Sequence, residues 1–548
     1  MKKIIYCASL LAFAACSSSK DASKKNEANV DQAAKYAATI TSKELSEHLY
    51  TYASDEFEGR ETGEPGQKKA VEYLKDHYVS LKIPSPISKT DYFQEVPLVK
   101  QGTPDINFTV NSKSFKVVDD VVSVGKGYNA TINENEIVYA GYGIEDEKYS
   151  SYKGLDVKGK VVLIKAGEPK NGDTYTVSGS NKASQWSTRQ QYSAKRKAAM
   201  EKGAKAILLY SPQIYPLVAR QYGGSGGRMA LDKEDKKSEK FFYFFVNTSL
   251  ATAILPTIET ETESKVLNTP VSFTFTEKSE KFNSENVVAY IKGSEKPDEV
   301  LVISAHLDHE GIKDGKVYNG ADDDGSGTVA LMEIAEAFKL AAKNGQTPKR
   351  SILFLHVTGE EKGLLGSSYY ADVDPLFPIA NTVANLNIDM IGRTDPKRKE
   401  GDRNYIYLIG SDKLSTELHN ISEEVNKKYM NVELDYTYND ENDPNRFYYR
   451  SDHYNFAKNN VPVIFYFNGT HDDYHQPSDT PDKIEYDLLE NRTRLVFHTA
   501  WELANRENRI VVDKAVEKNK QQKTISKMIK TSQFICGVFS IKKIKGFN

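Results

Sequence analysis

The chain has 548 residues, enough for more than one folded domain. Its 11% aromatic content, with 33 tyrosines, suits a packed protein and argues against a disordered one. A net charge of −3 gives no case for nucleic acid or for an acidic partner, and three cysteines, Cys7, Cys16 and Cys536, exclude a disulfide framework in the body of the chain.

The amino terminus reads as an export signal. Lys2 and Lys3 form a charged start, Ile4 to Ala15 an apolar region too short to span a bilayer, and the segment closes on Ala14, Ala15 and Cys16. Cys16 after two alanines, followed by Ser17, Ser18, Ser19 and Lys20, resembles a bacterial lipoprotein cleavage site. Phe13 departs from the aliphatic residue usual three places before that cysteine. The resemblance implies a protein exported to the periplasm or cell envelope and held on a bacterial membrane only by a lipid on Cys16. An ordinary secretory signal is the competing reading. Residues 17–38 are polar and read as a flexible tether.

A folded region is expected from residue 39. Thr41 to Leu45 resembles a capping-box helix start, residues 55–66 read as a loop, and Gln67 to Leu81 as an amphipathic helix. Short β-rich segments then dominate: Ile137 to Tyr142, Val161 to Lys165, Ala206 to Tyr210, Phe241 to Val246 and Val271 to Thr276, with a helix at Lys195 to Gly203. Tyr175 to Gln191 and Arg220 to Arg228 read as exposed loops. Gly141-Tyr142-Gly143, the run Lys158 to Ile164 and the passage Ala198 to Tyr210 resemble the protease-associated domain, a β-rich module inserted into many exported peptidases.

The organising stretch runs from Val300 to Gly327. Val300 to Ala305 is an apolar run that predicts a strand buried on both faces of a largely parallel sheet. It stops at His306 and Asp308, which alternate onto one side of an extended chain. Asp322, Asp323 and Asp324 follow in a glycine-bounded loop, where mutual repulsion invites a cation, and Ala330 to Lys343 is helical in spacing. Three further apolar strands each lead to a candidate ligand: Ser351 onward to Glu360 and Glu361, Val383 onward to Asp389, and Val461 onward to His475. In open α/β sheets ligands bind beyond the carboxyl ends of the strands. Two histidines and three carboxylates suit zinc first, and manganese or cobalt second. Five groups exceed what one cation can use while leaving room for water and substrate, so two cations are expected. Asp323 would bridge them, His306 and Asp389 would hold one, Glu361 and His475 the other, and Asp308 would fix the ring of a ligand histidine.

His306 to Asp308, Gly320 to Gly327, Gly359 to Ser367, Asn387 to Gly392 and Tyr474 to Thr480 resemble the di-zinc exopeptidase family, which includes bacterial leucyl aminopeptidases, aminopeptidase Y and glutamate carboxypeptidase II. The match covers about residues 40–510. It implies an α/β fold of the zinc-exopeptidase, phosphorylase/hydrolase-like type, a mixed and mostly parallel sheet with helices on both faces, plus the inserted domain. It implies the ligand set above with two Zn2+ per chain, and a cis peptide between Asp323 and Asp324, rare outside proline. His309 and His471, beside proposed ligands, are read as supporting or structural residues. Glu360 is expected to act as general base on a metal-activated bridging water. Tyr449 and His453 are candidates for contacting the scissile carbonyl, with a core histidine an equal reading of His453. Residues 435–445 read as a polar, mobile loop at the mouth.

The expected organisation is a signal peptide over 1–16, the tether over 17–38, a first peptidase segment over 39–110, the insert over 111–280, the catalytic segment over 281–512 and a basic tail over 513–548. The expected function is an aminopeptidase releasing N-terminal residues from peptides. A carboxypeptidase or dipeptidase on the same site is the alternative, favoured if Arg189, Arg196 or Arg220 reach the substrate. A non-catalytic, receptor-like binding protein is the reading from another class, against which stands the full ligand set.

Overall fold

The computed structural model describes residues 31–124, 127–223, 228–232 and 240–514; the expected signal, Cys16 and nearly all of the basic tail lie outside them. The chain forms two compact units, Met1–Val96 with Asn283–Asn548, and Pro97–Phe282. No described helix is long and apolar enough to cross a membrane.

The first unit is built on β1 (Ser279–Ile291, whose start belongs to the second unit), β2 (Lys296–His306), β3 (Arg350–Val357), β4 (Thr382–Ile388), β5 (Tyr405–Ile409), β6 (Glu433–Asp435) and β7 (Val463–Phe467). Among these the sheet order is β1-β3-β2-β4-β7-β5-β6. The four central strands β3, β2, β4 and β7 are mutually parallel, whereas β1 runs antiparallel to β3 and β5 antiparallel to β7. Every residue of β3, β4 and β7 is buried, the signature of strands covered on both faces.

Alternation sends Leu301 and Ile303 to one face and Val300 and Val302 to the other. The first face packs on α1 (Ser42–Tyr52), α2 (Pro65–Leu81), α3 (Gly327–Lys343), α5 (Thr416–Tyr429) and α7 (Tyr486–Asn505) through residues such as Leu49, Leu74, Phe338, Leu418 and Phe497. The second packs on α4 (Leu365–Asp372) and α6 (His453–Ala457) through Tyr370 and Phe456. Thr41 caps α1 by accepting from the Glu44 amide at 3.2 Å. Register aligns His306 with Val357, Ser304 with Asn387 and Asn387 with Phe465, so the parallel strands finish along one edge.

Two expected boundaries move. Asp31 caps a helix, Gln32–Ala37, whose Ala33, Tyr36 and Ala37 are buried, so order begins inside the stretch read as a tether; the serines and charged residues before it make the stretch read as flexible, but Tyr36 packs into the core. The second unit begins at Pro97 rather than 111, because Asp105–Val110 pairs with Val271–Thr276. That unit contains, among the described residues, a six-stranded sheet centred on Val161–Lys165, Ala206–Tyr210 and Phe242–Val246, and a four-stranded sheet. Phe108, Phe244 and Phe273 fill the core shared by these sheets. Gln191–Glu201 is the expected helix, begun four residues early, and Tyr215–Tyr222 is helical where part of a loop was expected.

Gly327 opens α3 where no side chain fits: a Cβ there would lie 2.3 Å from Asp324 Oδ1 and 2.7 Å from the Ile388 carbonyl. Gly327→Ala is therefore expected to destabilise the first unit by about 1–3 kcal/mol, read as a lower midpoint in thermal unfolding. An unchanged midpoint would show that the contact relaxes freely.

Candidate active site

The carboxyl edge of the parallel strands gathers His306, Asp323, Glu360, Glu361, Asp389 and His475. His306 ends β2 and is buried. Its Nδ1 lies 3.0 Å from the Asp308 carbonyl oxygen, which can only accept, so Nδ1 carries the hydrogen and the Nε2 lone pair faces the cluster. Nε2 lies 3.1 Å from Asp323 Oδ1 and 3.7 Å from Asp389 Oδ1. The other Asp323 oxygen, Oδ2, lies 3.0 Å from His475 Nε2 and 3.7 Å from His309 Nδ1. Glu361 Oε1 closes that side, 3.1 Å from His475 Nε2 and 3.0 Å from His309 Nδ1.

His306 Nε2, His309 Nδ1, Asp323 Oδ2, Glu361 Oε1 and His475 Nε2 are buried and have no hydrogen-bond partner. They approach one another closely but in poor hydrogen-bond geometry, as lone pairs aimed at shared points do. Buried polar atoms left unpaired are costly, and cations between them would satisfy all five. Ligand atoms group as His306, Asp323 and Asp389 on one side, and His309, Asp323 and Glu361 on the other, with Glu310, Glu361 and His475 adjoining. Asp323 belongs to both sides. The donor set of imidazoles and carboxylates fits zinc.

His309 therefore stands among the potential ligand atoms, although it was expected to support them. The chain leaves extended geometry after His306, so strand alternation no longer predicts where His309 points. His471 stays outside: its Nε2 lies 3.2 Å from Asp322 Oδ2.

The three aspartates divide their work. Asp324 accepts from the His306 amide at 3.1 Å, the Gly327 amide at 2.9 Å and the Met390 amide at 3.1 Å. Asp322 Oδ1 accepts from the Gly392 amide at 2.6 Å, and Asp479 accepts from the amides of Asp322 and Asp323. Only Asp323 faces the cluster, so a cation is not the remedy for all three charges; backbone amides serve the other two. The Asp323–Asp324 peptide is cis. Ser451 donates to Asp389 Oδ2 at 2.6 Å.

Asp308 was expected to hold a histidine ring with its carboxylate. Its Oδ1 lies 3.8 Å from His306 Nδ1, and the ring is served by its backbone carbonyl instead. The carboxylate turns away, accepting from Thr62 Oγ1 at 2.8 Å and from the Glu360 amide at 3.1 Å.

Burial pushes Glu360 well above the usual carboxylate range; His306 opposes this, while Asp389, Glu361 and Asp452 add to it. Burial alone would lower His306 and His475, but Asp323 with Asp389 raises the first well above its ordinary value, and Asp323 with Glu361 raises the second to about 10. The carboxylates thus demand positive charge at the places where a metal would supply it.

A pocket opens beside the cluster, lined by Asp323, Glu360, Asp389, Met390, Phe447, Arg450, Phe465, Phe467, Thr470 and Tyr474. Tyr449 and His453 are not among its walls. Tyr449 is 45% exposed and packs on Tyr454; His453 is buried at the start of α6, its ring stacked on Phe465 at 4.7 Å, and burial lowers it to about 3. The turn at Phe447–Tyr449 aims Phe447 inward and Tyr449 outward, which spacing alone does not reveal. Residues 435–445, read as a loop at the mouth, are pinned: Tyr438 donates to Asp395 at 3.0 Å and Asn439 to Asp412 at 2.7 Å.

Residues 286–500 match the model of Peptidase family M28. A probable zinc metalloprotease of Pyricularia oryzae is 38% identical over 121 residues, 21% of this chain and 23% of that protein. A probable glutamate carboxypeptidase, AMP1, of Arabidopsis thaliana is 38% identical over 104 residues, 19% of this chain and 14% of that one. Aminopeptidase YwaD of Bacillus subtilis is 24% identical over 385 residues, 68% of this chain and 66% of that one. The chain thus spans less than two thirds of the length of each.

If Asp323 is shared between two groups of ligands, Asp323→Asn is expected to lower the zinc retained per chain after dialysis, measured by atomic emission. Wild-type zinc content in that variant would remove Asp323 from the site.

Proposed function

From the match of residues 286–500 to the model of Peptidase family M28, we propose that this chain is a zinc-dependent exopeptidase, an aminopeptidase that hydrolyses the first peptide bond of peptides. The observation that carries the reading is the division of the two Asp323 oxygens between His306 with Asp389 and His475 with Glu361, beside the half-buried Glu360 on the pocket wall. His306, Asp323 and Asp389 would hold one zinc ion, and Asp323, Glu361 and His475 the second, with His309 alongside. Bound there, zinc supplies Lewis-acid polarisation of the peptide carbonyl and lowers the pKa of the attacking water.

The protein's own groups do the rest. Glu360 takes the proton from the attacking water as the C–O bond forms, then delivers it to the amine nitrogen as the C–N bond breaks. The released products are a carboxylate and an amine. Met390, Phe447, Phe465, Phe467 and Tyr474 offer a mostly apolar wall to the substrate side chain, so large apolar amino-terminal residues are the expected substrates.

Arg450 favours a second reading. It supplies the cation of the pocket wall, its guanidinium 4.9 Å over the Phe447 ring and 3.5 Å from Tyr474 Oη. A substrate carboxylate would pair with it, as a carboxypeptidase requires. Within the first unit Arg450 can play the part that the carboxypeptidase reading gives to Arg189, Arg196 or Arg220.

The two readings separate on a panel of aminoacyl and carboxy-terminal peptide substrates, assayed with chelator and then with zinc restored. Release of apolar amino-terminal residues, lost on chelation, is expected; release from the carboxyl end, lost in Arg450→Met, would establish the alternative. Glu360→Gln is expected to keep its zinc and lose roughly 10²–10⁴-fold in kcat. Near-normal turnover in that variant would end the base assignment.

For the second unit the reading as a protease-associated module is supported by the motifs at Gly141–Gly143 and Lys158–Ile164. Export with a lipid on Cys16 rests on the first twenty residues alone. Radiolabelled palmitate entering the wild type but not Cys16→Ala is the expected result, and equal labelling would refute it.

A further inference from the structure

The loop at residues 55–64 carries no metal ligand, yet its side chains reach the back of the site. Arg60 is buried and donates to four backbone carbonyls: Tyr52 at 3.1 Å, Leu307 at 3.2 Å, Asn319 at 2.7 Å and Gly320 at 2.9 Å. Its guanidinium also lies 4.6 Å over the Tyr52 ring, and its own carbonyl accepts from the His309 amide at 3.2 Å. Gly59, at φ +66°, lets the loop press on the hairpin at 311–318; a Cβ there would sit 2.4 Å from the Tyr318 carbonyl and 2.6 Å from that of Gly311. The loop is thereby fastened to both ends of the segment that runs from His306 to the aspartates.

Thr62, next but one to Arg60, is 1% exposed and donates to Asp308 Oδ2. The other oxygen of that carboxylate accepts from the Glu360 amide. The same residue's carbonyl accepts from the His306 ring. Asp308 is fully buried, so its rotation is set by these few donors. Without the Thr62 hydroxyl, one carboxylate oxygen would be left buried and unpaired, and turning toward another donor would release the Glu360 amide.

From this geometry we propose that Thr62 is a positioning residue for the reaction: through Asp308 it fixes the backbone of Glu360, and so the placement of the base. The inference rests on the assignment of Glu360 as base. It adds to that assignment a residue almost three hundred positions away, in a loop with no catalytic signature of its own.

The test compares Thr62→Val, which keeps the shape and removes the hydroxyl, with Thr62→Ser, which keeps the hydroxyl. A leucine p-nitroanilide, zinc content and thermal midpoint are measured on the full chain. Thr62→Val is expected to lose between about tenfold and a hundredfold in kcat, with KM and zinc per chain unchanged, and Thr62→Ser to recover most of that loss. In a Glu360→Gln background Thr62→Val is expected to have no further effect, because the two changes act on one step. A wild-type kcat in Thr62→Val, a loss that follows zinc or folded fraction, or an equal loss in both backgrounds would overturn the proposal. If Thr62→Val does not fold, Thr62→Ala takes its place, and failure of both to fold assigns Thr62 to folding alone and overturns it. Normal turnover by Glu360→Gln would instead strike the base assignment, while an inactive Glu360→Gln with a normal Thr62→Val would strike only the positioning role.

Discussion

The buried carboxylate of Asp324 holds three pieces of backbone at once: the end of β2 at His306, the start of α3 at Gly327 and the residue after Asp389 at Met390. Two potential ligands and the helix that backs them are thereby kept at fixed separation. A charge in so dry a place is tolerable only because each hydrogen bond comes from an amide that would otherwise be unpaired itself. Burial pushes Asp324 well above the usual carboxylate range, with Asp389 and Asp323 adding to the rise and His306 opposing it. The knot is therefore one that close-packed neighbours must enforce, and Gly327, pressed against it, is part of that enforcement.

From this knot outward the site is assembled in layers of support. Asp479 holds the amides of Asp322 and Asp323, Ser451 holds Asp389, and Asp308 with Thr62 holds Glu360. Groups held in this way cannot relax toward one another. Asp323, Glu361, His306, His309 and His475 therefore keep their unpaired atoms turned inward, close together but without the geometry of mutual hydrogen bonds, where a cation would serve them. A rigid surround that prevents local neutralisation is what makes a metal site selective and a catalytic base well placed.

Much of this was legible in one dimension. Parallel strands buried on both faces read as unbroken apolar runs, so β2, β3, β4 and β7 stand out. The residues at their ends, His306, Glu360, Glu361 and Asp389, followed from the rule that ligands gather at that edge. His309 was harder, because the chain bends away from strand geometry after His306 and face alternation stops applying. Arg60, Thr62 and Ser451 carried no signal, since each acts on a residue between about 60 and 260 positions distant. The wall of the pocket was misjudged for a related reason: at Phe447–Tyr449 a single turn decides which aromatic faces the cluster.

The amino-acid sequence by itself determined the strands, the helices that follow them and the chemical kind of each candidate ligand, because hydrophobic periodicity and residue type are local properties. Tertiary structure alone decided which oxygens of three adjacent aspartates face the cluster, which histidine joins it, and that a loop near residue 60 reaches the back of Glu360. Those outcomes depend on hydrogen bonds that close only when segments far apart in the chain are packed together, and a buried carboxylate turns toward whichever donors that packing brings within reach.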